Sequence, residues 1–354
     1  MKMNKFVRYL HKIFIKCLRV LLIMPKNQKK TCFSIIYGAM IVVIYITARS
    51  FRYKYNYKRS NMGTLILYSF EEVEELCGCL TVLVILHSYR QTHLWQNLYK
   101  NDIILDDEDQ RCHTFIIIAF FLQILLYLYA IILTNWRIKK HKNLITTILW
   151  NLSFFIRFIY IVAVQTLYMN IILEIRQKLI KANKQLNSNI VTINVTTIHT
   201  YLNQAIEGGK IFNRLFGYQI LIFYFQFLLF LINVLLNIIL FIDPEKYIHF
   251  SGLFENISMF ICNFILVMFG PCAVAFACSM VATEVDKLIV NCYDVQENFH
   301  YYSREHKELH SFALILGSGV LQLTAANFME IKLSTLLSIM AAATTYFVAL
   351  VQFF

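Results

Sequence analysis

Seven long apolar runs constrain the fold of this chain more than any other feature of its sequence. They occupy residues 31–48, 64–89, 115–134, 144–168, 215–242, 254–281 and 332–353. About 20 apolar residues in a helix cross the hydrocarbon core of a bilayer, and each run approaches or exceeds that length. A chain that is 58% hydrophobic and 15% charged is also too apolar for an ordinary soluble domain. The sequence therefore predicts an all-α polytopic membrane protein with seven transmembrane helices.

The lysine and arginine residues predict how these helices are oriented. If the N-terminus is cytoplasmic, 21 of these residues lie in inside segments and ten lie in outside segments. Positive charge is normally retained inside, so the distribution favours a cytoplasmic N-terminus and an extracellular C-terminus. The first outside loop opposes this assignment, because it carries five basic residues in a short connection.

Three polar segments have helical character and are predicted to lie on the cytoplasmic side. Residues 1–30 place their basic side chains along one arc, which is typical of a helix that lies on the inner leaflet. Residues 169–214 form a cytoplasmic loop that begins as a helix, and residues 282–331 form a cytoplasmic segment with an anchor helix at about 306–326. Both are too long and too periodic for plain linkers, so we expect helical extensions that pack together beneath the membrane.

The second span contains four glutamates, at positions 71, 72, 74 and 75. A bare charge at membrane depth costs several kcal/mol, so this half of the helix should face a cavity, a partner or water. Alternatively, the span begins near Leu76 and the glutamates lie in interfacial water. Arg157 is the other charge within a span, and it either pairs with Glu75 or Glu72 or snorkels at a helix kink.

The last span, residues 332–353, carries polar and small side chains that lipid does not require. At about 100° per residue, Thr345, Ala349, Gln352 and Phe353 fall along one stripe of this helix. We expect that stripe to meet water or other copies of the chain.

The end of the chain also carries a short motif, in which Thr345 and Tyr346 are followed by five apolar residues and then by Gln352 and Phe353. This motif and the preceding LTAANFMEIKLSTLLSIMAAATT resemble the last helix of insect gustatory receptors. The resemblance implies a gustatory receptor subunit that acts as a ligand-gated, non-selective cation channel in the plasma membrane of sensory neurons.

The same resemblance implies a homo- or hetero-tetramer with other gustatory receptor subunits, held together by its cytoplasmic extensions. Four last helices would line the pore for permeant cations and place Thr345, Ala349, Gln352 and Phe353 at its centre. Branched aliphatic residues form the constriction in the related co-receptor channels. Ala349 and Phe353 depart from that pattern and leave the position of the gate open.

Polar and aromatic residues in several spans form a candidate pocket for a small-molecule tastant. They are Tyr68, Glu72, Glu75, Tyr127, Trp150, Phe154, Arg157, Asn233, Asn237 and Asn256. The acidic half of the second span favours cationic, bitter tastants, whereas tryptophan, tyrosine and amide groups favour sugars.

Other functions have weaker support in the sequence. His306 and His310 have a spacing that can bind zinc, but Lys307 stands where a zinc protease has its glutamate. We therefore expect no enzyme, no metal and no cofactor. The net charge of +12 is explained by loops that face membrane lipid, so nucleic acid is not an expected partner. A G-protein-coupled receptor, which has the opposite orientation, and a membrane transporter remain as alternatives.

Overall fold

The computed structural model describes residues 40, 43, 62–101, 118–126, 128–129, 132, 144–187, 195–242 and 250–352. The predicted N-terminal helix 1–30 and nearly all of the predicted span 31–48 lie outside the described residues. The predicted span 115–134 is described in part, and each of its described residues is helical.

Seven helices and one small hairpin have defined bounds. In chain order they are α1 (Met62–Arg90), α2 (Thr92–Lys100), α3 (Leu144–Leu186), α4 (Val195–Ile242), α5 (Phe250–Gln296), α6 (Arg304–Gly317), β1 (Thr324–Ala325), β2 (Met329–Glu330) and α7 (Leu333–Val351).

Helices α3, α4 and α5 contain 43, 48 and 47 residues, about twice the length that a bilayer crossing needs. Each combines an apolar part with a polar part in one continuous helix. The expected helical extensions of the spans are therefore present, and the side of the membrane on which they lie stays a prediction.

Among the described residues, four helical segments are long and apolar enough to cross a membrane. They are Phe158–Leu186, Val195–Leu236, Met268–Gln296 and Leu333–Val351. A shorter apolar helix, Leu76–Arg90, follows the glutamates of α1 directly. The described part of the chain thus contains span-length apolar helices at four of the seven predicted runs and a shorter apolar helix at a fifth, residues 64–89.

Helix α4 lies at the centre of the packing. It packs along α1 on one side and α3 on another, while α5 packs along α3 and α6. Aromatic rings fill the junction of α2, α3 and α4: Tyr168 packs against Phe216 with the ring planes tilted by 54° and the centroids 4.9 Å apart, and Trp95 meets Phe216 edge-on at 5.7 Å. Trp95 and Phe216 are both about 1% exposed, so this junction is a true core.

The segment before the last helix differs from the expectation of one anchor helix at about 306–326. Helix α6 begins at its N-cap Ser303, whose hydroxyl accepts a hydrogen bond from the His306 N–H, and ends at Gly317. Gly319 then adopts a φ of +75°, which favours glycine and stops the helix. The chain continues as the antiparallel hairpin β1–β2, in which Thr324 pairs with Glu330 and Ala325 pairs with Met329.

Candidate functional site

Helix α7 is the most exposed of the four apolar segments. Only 11% of its most apolar 18-residue stretch is buried inside the chain, against 50% to 72% of the corresponding stretches in the other three segments. Its buried side chains are Leu336 and Ala343, which are seven residues apart and therefore share one face. With this narrow face α7 lies against α4 and α5, and the rest of its surface points away from the chain.

The predicted stripe of α7 lies opposite that buried face. Thr345 is about 160° around the helix from Ala343, and Thr345, Ala349 and Gln352 are all exposed. Tyr346 of the motif is exposed as well. Phe353 lies outside the described residues. The structure thus brings three of the four predicted pore residues to one outward face.

The two threonine hydroxyls in the second half of α7 are satisfied within the helix. Thr345 Oγ1 donates to the Ala341 carbonyl and Thr344 Oγ1 donates to the Met340 carbonyl, both at 3.0 Å. Such bonds one turn back let a hydroxyl lie at membrane depth without an outside partner. Exposure, more than hydroxyl chemistry, therefore distinguishes this face.

The first turn of α7 is held by neighbouring elements. The Leu333 N–H donates to Ser279 Oγ of α5 at 3.3 Å, and Thr335 Oγ1 donates to the Glu330 carbonyl of β2 at 2.7 Å. A helix N-terminus leaves backbone N–H groups without partners, and the Ser279 hydroxyl supplies an acceptor for one of them. The base of α7 is thereby attached to α5.

A buried polar network joins α1, α3 and α4. Tyr168 Oη donates to Gln219 Oε1 at 2.5 Å, and Gln219 Nε2 donates to Ser88 Oγ at 2.6 Å. Ser88 Oγ donates in turn to the Leu215 carbonyl at 2.7 Å, and Trp95 Nε1 donates to the Ser88 carbonyl at 3.0 Å. The network fixes the relative positions of three helices in an apolar surrounding.

Charged and amide groups join α3 to α5 further along the chain. Glu284 lies 3.3 Å from Arg176 of α3 and 3.4 Å from Lys287 of its own helix. About two turns beyond, Asn291 Nδ2 donates to Asn183 Oδ1 at 2.5 Å. These contacts extend the α3–α5 packing into the polar half of both helices.

The predicted ligand pocket is described only in part. Glu72 and Asn233 are half-buried. The side chains of the other predicted pocket residues lie outside the described residues: Tyr68, Glu75, Tyr127, Trp150, Phe154, Arg157, Asn237 and Asn256. Helices α1, α3 and α4, which carry most of them, are packing neighbours. The pocket and the pairing of Arg157 with Glu75 or Glu72 therefore stay predictions.

The two histidines with zinc-like spacing make other contacts. Gln296 Nε2 lies 3.0 Å from His306 Nε2, and His310 meets the Tyr293 ring at 6.3 Å between centroids. Among the described residues, no group of three histidine, cysteine or acidic side chains is placed to hold a metal ion.

Several residues that the sequence reading did not single out prove to be structurally prominent. They are Ser88, Tyr168, Asn213, Gly217, Gln219 and Ser279. Uncharged polar residues within apolar runs are a general signal for buried contacts between helices, and that signal applies to Gln219 and Ser279. No sequence pattern indicates which partner each of them meets.

Comparison with known proteins places this arrangement in a family. The model of the family described as "7tm Chemosensory receptor" matches residues 26–353. Two structures of the insect olfactory receptor OR5 from Machilis hrabei share the fold. The structure in complex with eugenol aligns with a TM-score of 0.70 at 13% identity, and the other aligns with 0.64 at 12%. Both alignments cover 98% of this chain and 100% of the receptor chain.

No curated protein sequence matches the chain. The family match spans nearly its whole length, and the expected resemblance to insect chemoreceptors is confirmed. The chain belongs to the family of 7tm chemosensory receptors.

Proposed function

We propose that this chain is a subunit of a ligand-gated, non-selective cation channel in which α7 lines the pore. The observation that carries the proposal is the outward face of α7, opposite its buried residues Leu336 and Ala343. A span that packs so little against its own chain must be covered by lipid or by other copies. The small and polar side chains of this face favour other copies and water.

Closed symmetry would bring this face of each subunit to a common axis. In a homo- or hetero-tetramer, Thr345, Ala349 and Gln352 of four copies would surround one pathway. Gln352 would offer amide oxygens to cations. Rings of the apolar side chains Ala349 and Phe353 would close the pore by excluding water. A ligand would open the channel by binding more tightly to the state in which the α7 helices are apart.

The proposed stimulus is a small-molecule tastant. The motif from Thr345 to Phe353 supports a gustatory receptor in the plasma membrane of sensory neurons, and the family membership supports a chemosensory role. The OR5 receptor with the same fold was solved in complex with eugenol. The glutamates of α1 favour cationic, bitter compounds for the present chain.

Cysteine accessibility along α7 tests the pore assignment without knowledge of the ligand. Ala349→Cys and Ala343→Cys introduce the same group on the exposed and the buried side of α7, six residues along and about 120° around the helix from each other. A charged, membrane-impermeant thiol reagent reacts with thiolate, which forms in water and not in hydrocarbon. We expect modification above the wild-type background at position 349 and none at position 343.

Modification at neither position would place the outward face of α7 in lipid and remove the pore assignment. Modification at both would show that α7 does not pack as described. Currents recorded across a panel of alkaloid and sugar tastants then test gating, and a reagent block of Ala349→Cys currents would connect the two measurements.

The orientation belongs to the same proposal. Epitope tags placed before the first residue and after the last should be hidden and accessible, respectively, on intact cells. The reverse pattern would favour a G-protein-coupled receptor.

A further inference from the structure

The segment between α6 and α7, residues 318–332, is folded onto the surface of α4; we call it the α6–α7 linker. Leu321, Leu323 and Ala325 are at most 6% exposed, whereas Gln322 between them is exposed. This alternation is that of a strand with one buried face. The Ile331 N–H donates to the Leu323 carbonyl at 2.9 Å and closes the hairpin. The linker is therefore a packed element with its own backbone pairing.

Asn213 of α4 attaches the linker through both atoms of its amide. Its Nδ2 donates to the Gln322 carbonyl at 2.7 Å, and its Oδ1 accepts from the Thr324 N–H at 2.9 Å. One side chain thus pairs with the backbone on both sides of Leu323, as a neighbouring strand would. Because these groups belong to the backbone, the attachment holds the path of the linker whatever its side chains do.

Two glycines of α4, on either side of Asn213, face the linker, but only Gly217 lies against the linker backbone. A Cβ at Gly217 would lie 2.7 Å from the Ala326 nitrogen and 3.1 Å from its Cα. A Cβ at Gly209 would meet only side-chain atoms, the nearest being Leu321 Cδ1 at 2.7 Å. Residues 209, 213 and 217 follow one another at intervals of four, so they form a continuous stripe along α4. The hairpin tip at Ala326 needs the absence of a side chain at Gly217.

The far end of the linker leads directly into the first turn of α7. The Glu330 carbonyl of β2 accepts from the Thr335 hydroxyl, and the Leu333 N–H donates to Ser279 Oγ of α5. Only a few residues of paired hairpin separate the Asn213 contacts from these bonds. The linker therefore connects α4 to the base of α7 through hydrogen-bonded backbone.

We infer that Asn213 is a positioning residue for gating, which fixes the α6–α7 linker to α4 so that the base of α7 follows the movement of α4. The inference rests on the proposed function, because it assumes that α7 forms the gate. It adds the route by which helices α1, α3 and α4, which carry most of the predicted pocket, act on α7. Neither α1 nor α3 needs a contact with α7 along this route.

Hydrogen exchange of the full-length protein in lipid nanodiscs tests the attachment. In Asn213→Ala, linker peptides within 318–332 should exchange about tenfold faster, which is the effect of losing two ordinary hydrogen bonds. Asn213→Asp keeps the shape and the acceptor for the Thr324 N–H but loses the donor, so its exchange should be intermediate. The control is Asn203→Ala on the same helix, whose amide lies 3.2 Å from the His199 ring; it should leave the linker unchanged.

Spontaneous openings in membrane patches test the coupling without a ligand. Asn213→Ala and Gly217→Ala should each change the open probability by about threefold or more, the size typical of a residue that carries coupling. Gly209→Ala is the matched control for the glycine, because Leu321 can rotate away from the added methyl group. It should gate as the wild type does.

Unchanged exchange in Asn213→Ala would overturn the attachment, whether or not the protein conducts. Faster exchange with unaltered gating would leave Asn213 a purely structural residue and overturn the inference. A wild-type protein that carries no current under any condition would remove the proposed function and the coupling with it, while the exchange result would still decide the attachment.

Discussion

The hydroxyl of Tyr168 offers a sharp test of how the helices of this receptor are held together. It donates to Gln219, whose amide continues to Ser88, and all three residues are buried. Tyr168→Phe removes one hydroxyl and leaves Gln219 Oε1 without that donor in an apolar surrounding. We expect the protein to lose about 1 to 3 kcal/mol of stability, the usual cost of a buried polar group that loses its partner.

The reciprocal change completes a double-mutant cycle that isolates this bond, because the loss of the Gln219 bond to Ser88 is common to both variants that carry Gln219→Met and cancels. Gln219→Met keeps a long, unbranched side chain but leaves the Tyr168 hydroxyl unpaired, at a similar cost of about 1 to 3 kcal/mol. The double variant removes both the Tyr168 hydroxyl and the Gln219 amide, so neither group is left buried without its partner. Its loss should therefore fall short of the sum of the single losses by about 1 kcal/mol or more.

Tyr224→Phe is the matched control, because it is the same substitution at a buried tyrosine of α4. Among the residues that the structure describes, the Tyr224 hydroxyl has no hydrogen-bond partner, so its removal should be neutral or stabilising. Thermal unfolding in detergent micelles, followed by tryptophan fluorescence, measures all four variants. Additive losses at positions 168 and 219, or equal effects of the two Tyr→Phe changes, would refute the network as described.

Two further substitutions probe the α3–α5 contact with the same unfolding assay. Gly270→Ala adds a methyl group where Gln165 of α3 lies against the α5 backbone; the overpacking should cost about 1 to 3 kcal/mol, and Gln165→Ala in the same chain should recover part of the loss. Glu284→Gln removes the negative charge of a nearly buried side chain that pairs with Arg176, and the protein should lose about 1 to 3 kcal/mol of stability. Its control is Glu207→Gln, which weakens a pair with both partners about half-exposed and should cost less than about 1 kcal/mol. Equal losses for the two glutamates would contradict the burial of the α3–α5 contact.

Part of the candidate site could be predicted from sequence because it depends on helical geometry alone. Thr345, Ala349 and Gln352 share a stripe on any helix of 3.6 residues per turn, and their common face followed from spacing. Which way that face points depends on Leu336 and Ala343, and neither of these stands out in a helix that is apolar almost throughout. The direction became clear only when α4 and α5 were found against them.

The hairpin before α7 marks a limit of another kind. Its strands have two residues each, too short for periodicity to distinguish them from the end of a helix. Gly319 and the alternating apolar residues Leu321, Leu323 and Ala325 can be read from the sequence. Their role in packing depends on Asn213, which lies more than 100 positions earlier. Contacts over such separations leave no local pattern.

The sequence alone determined that this chain crosses a membrane in helices, because burying backbone polar groups in lipid requires long apolar helical runs, and such runs can be read from composition and length. It also carried the family resemblance, in a motif nine residues long at its end. Tertiary structure decided which helices touch, which face of α7 remains open, and how the α6–α7 linker is attached to α4. These features arise from pairs of distant residues, and their free energy exists only when the helices have come together.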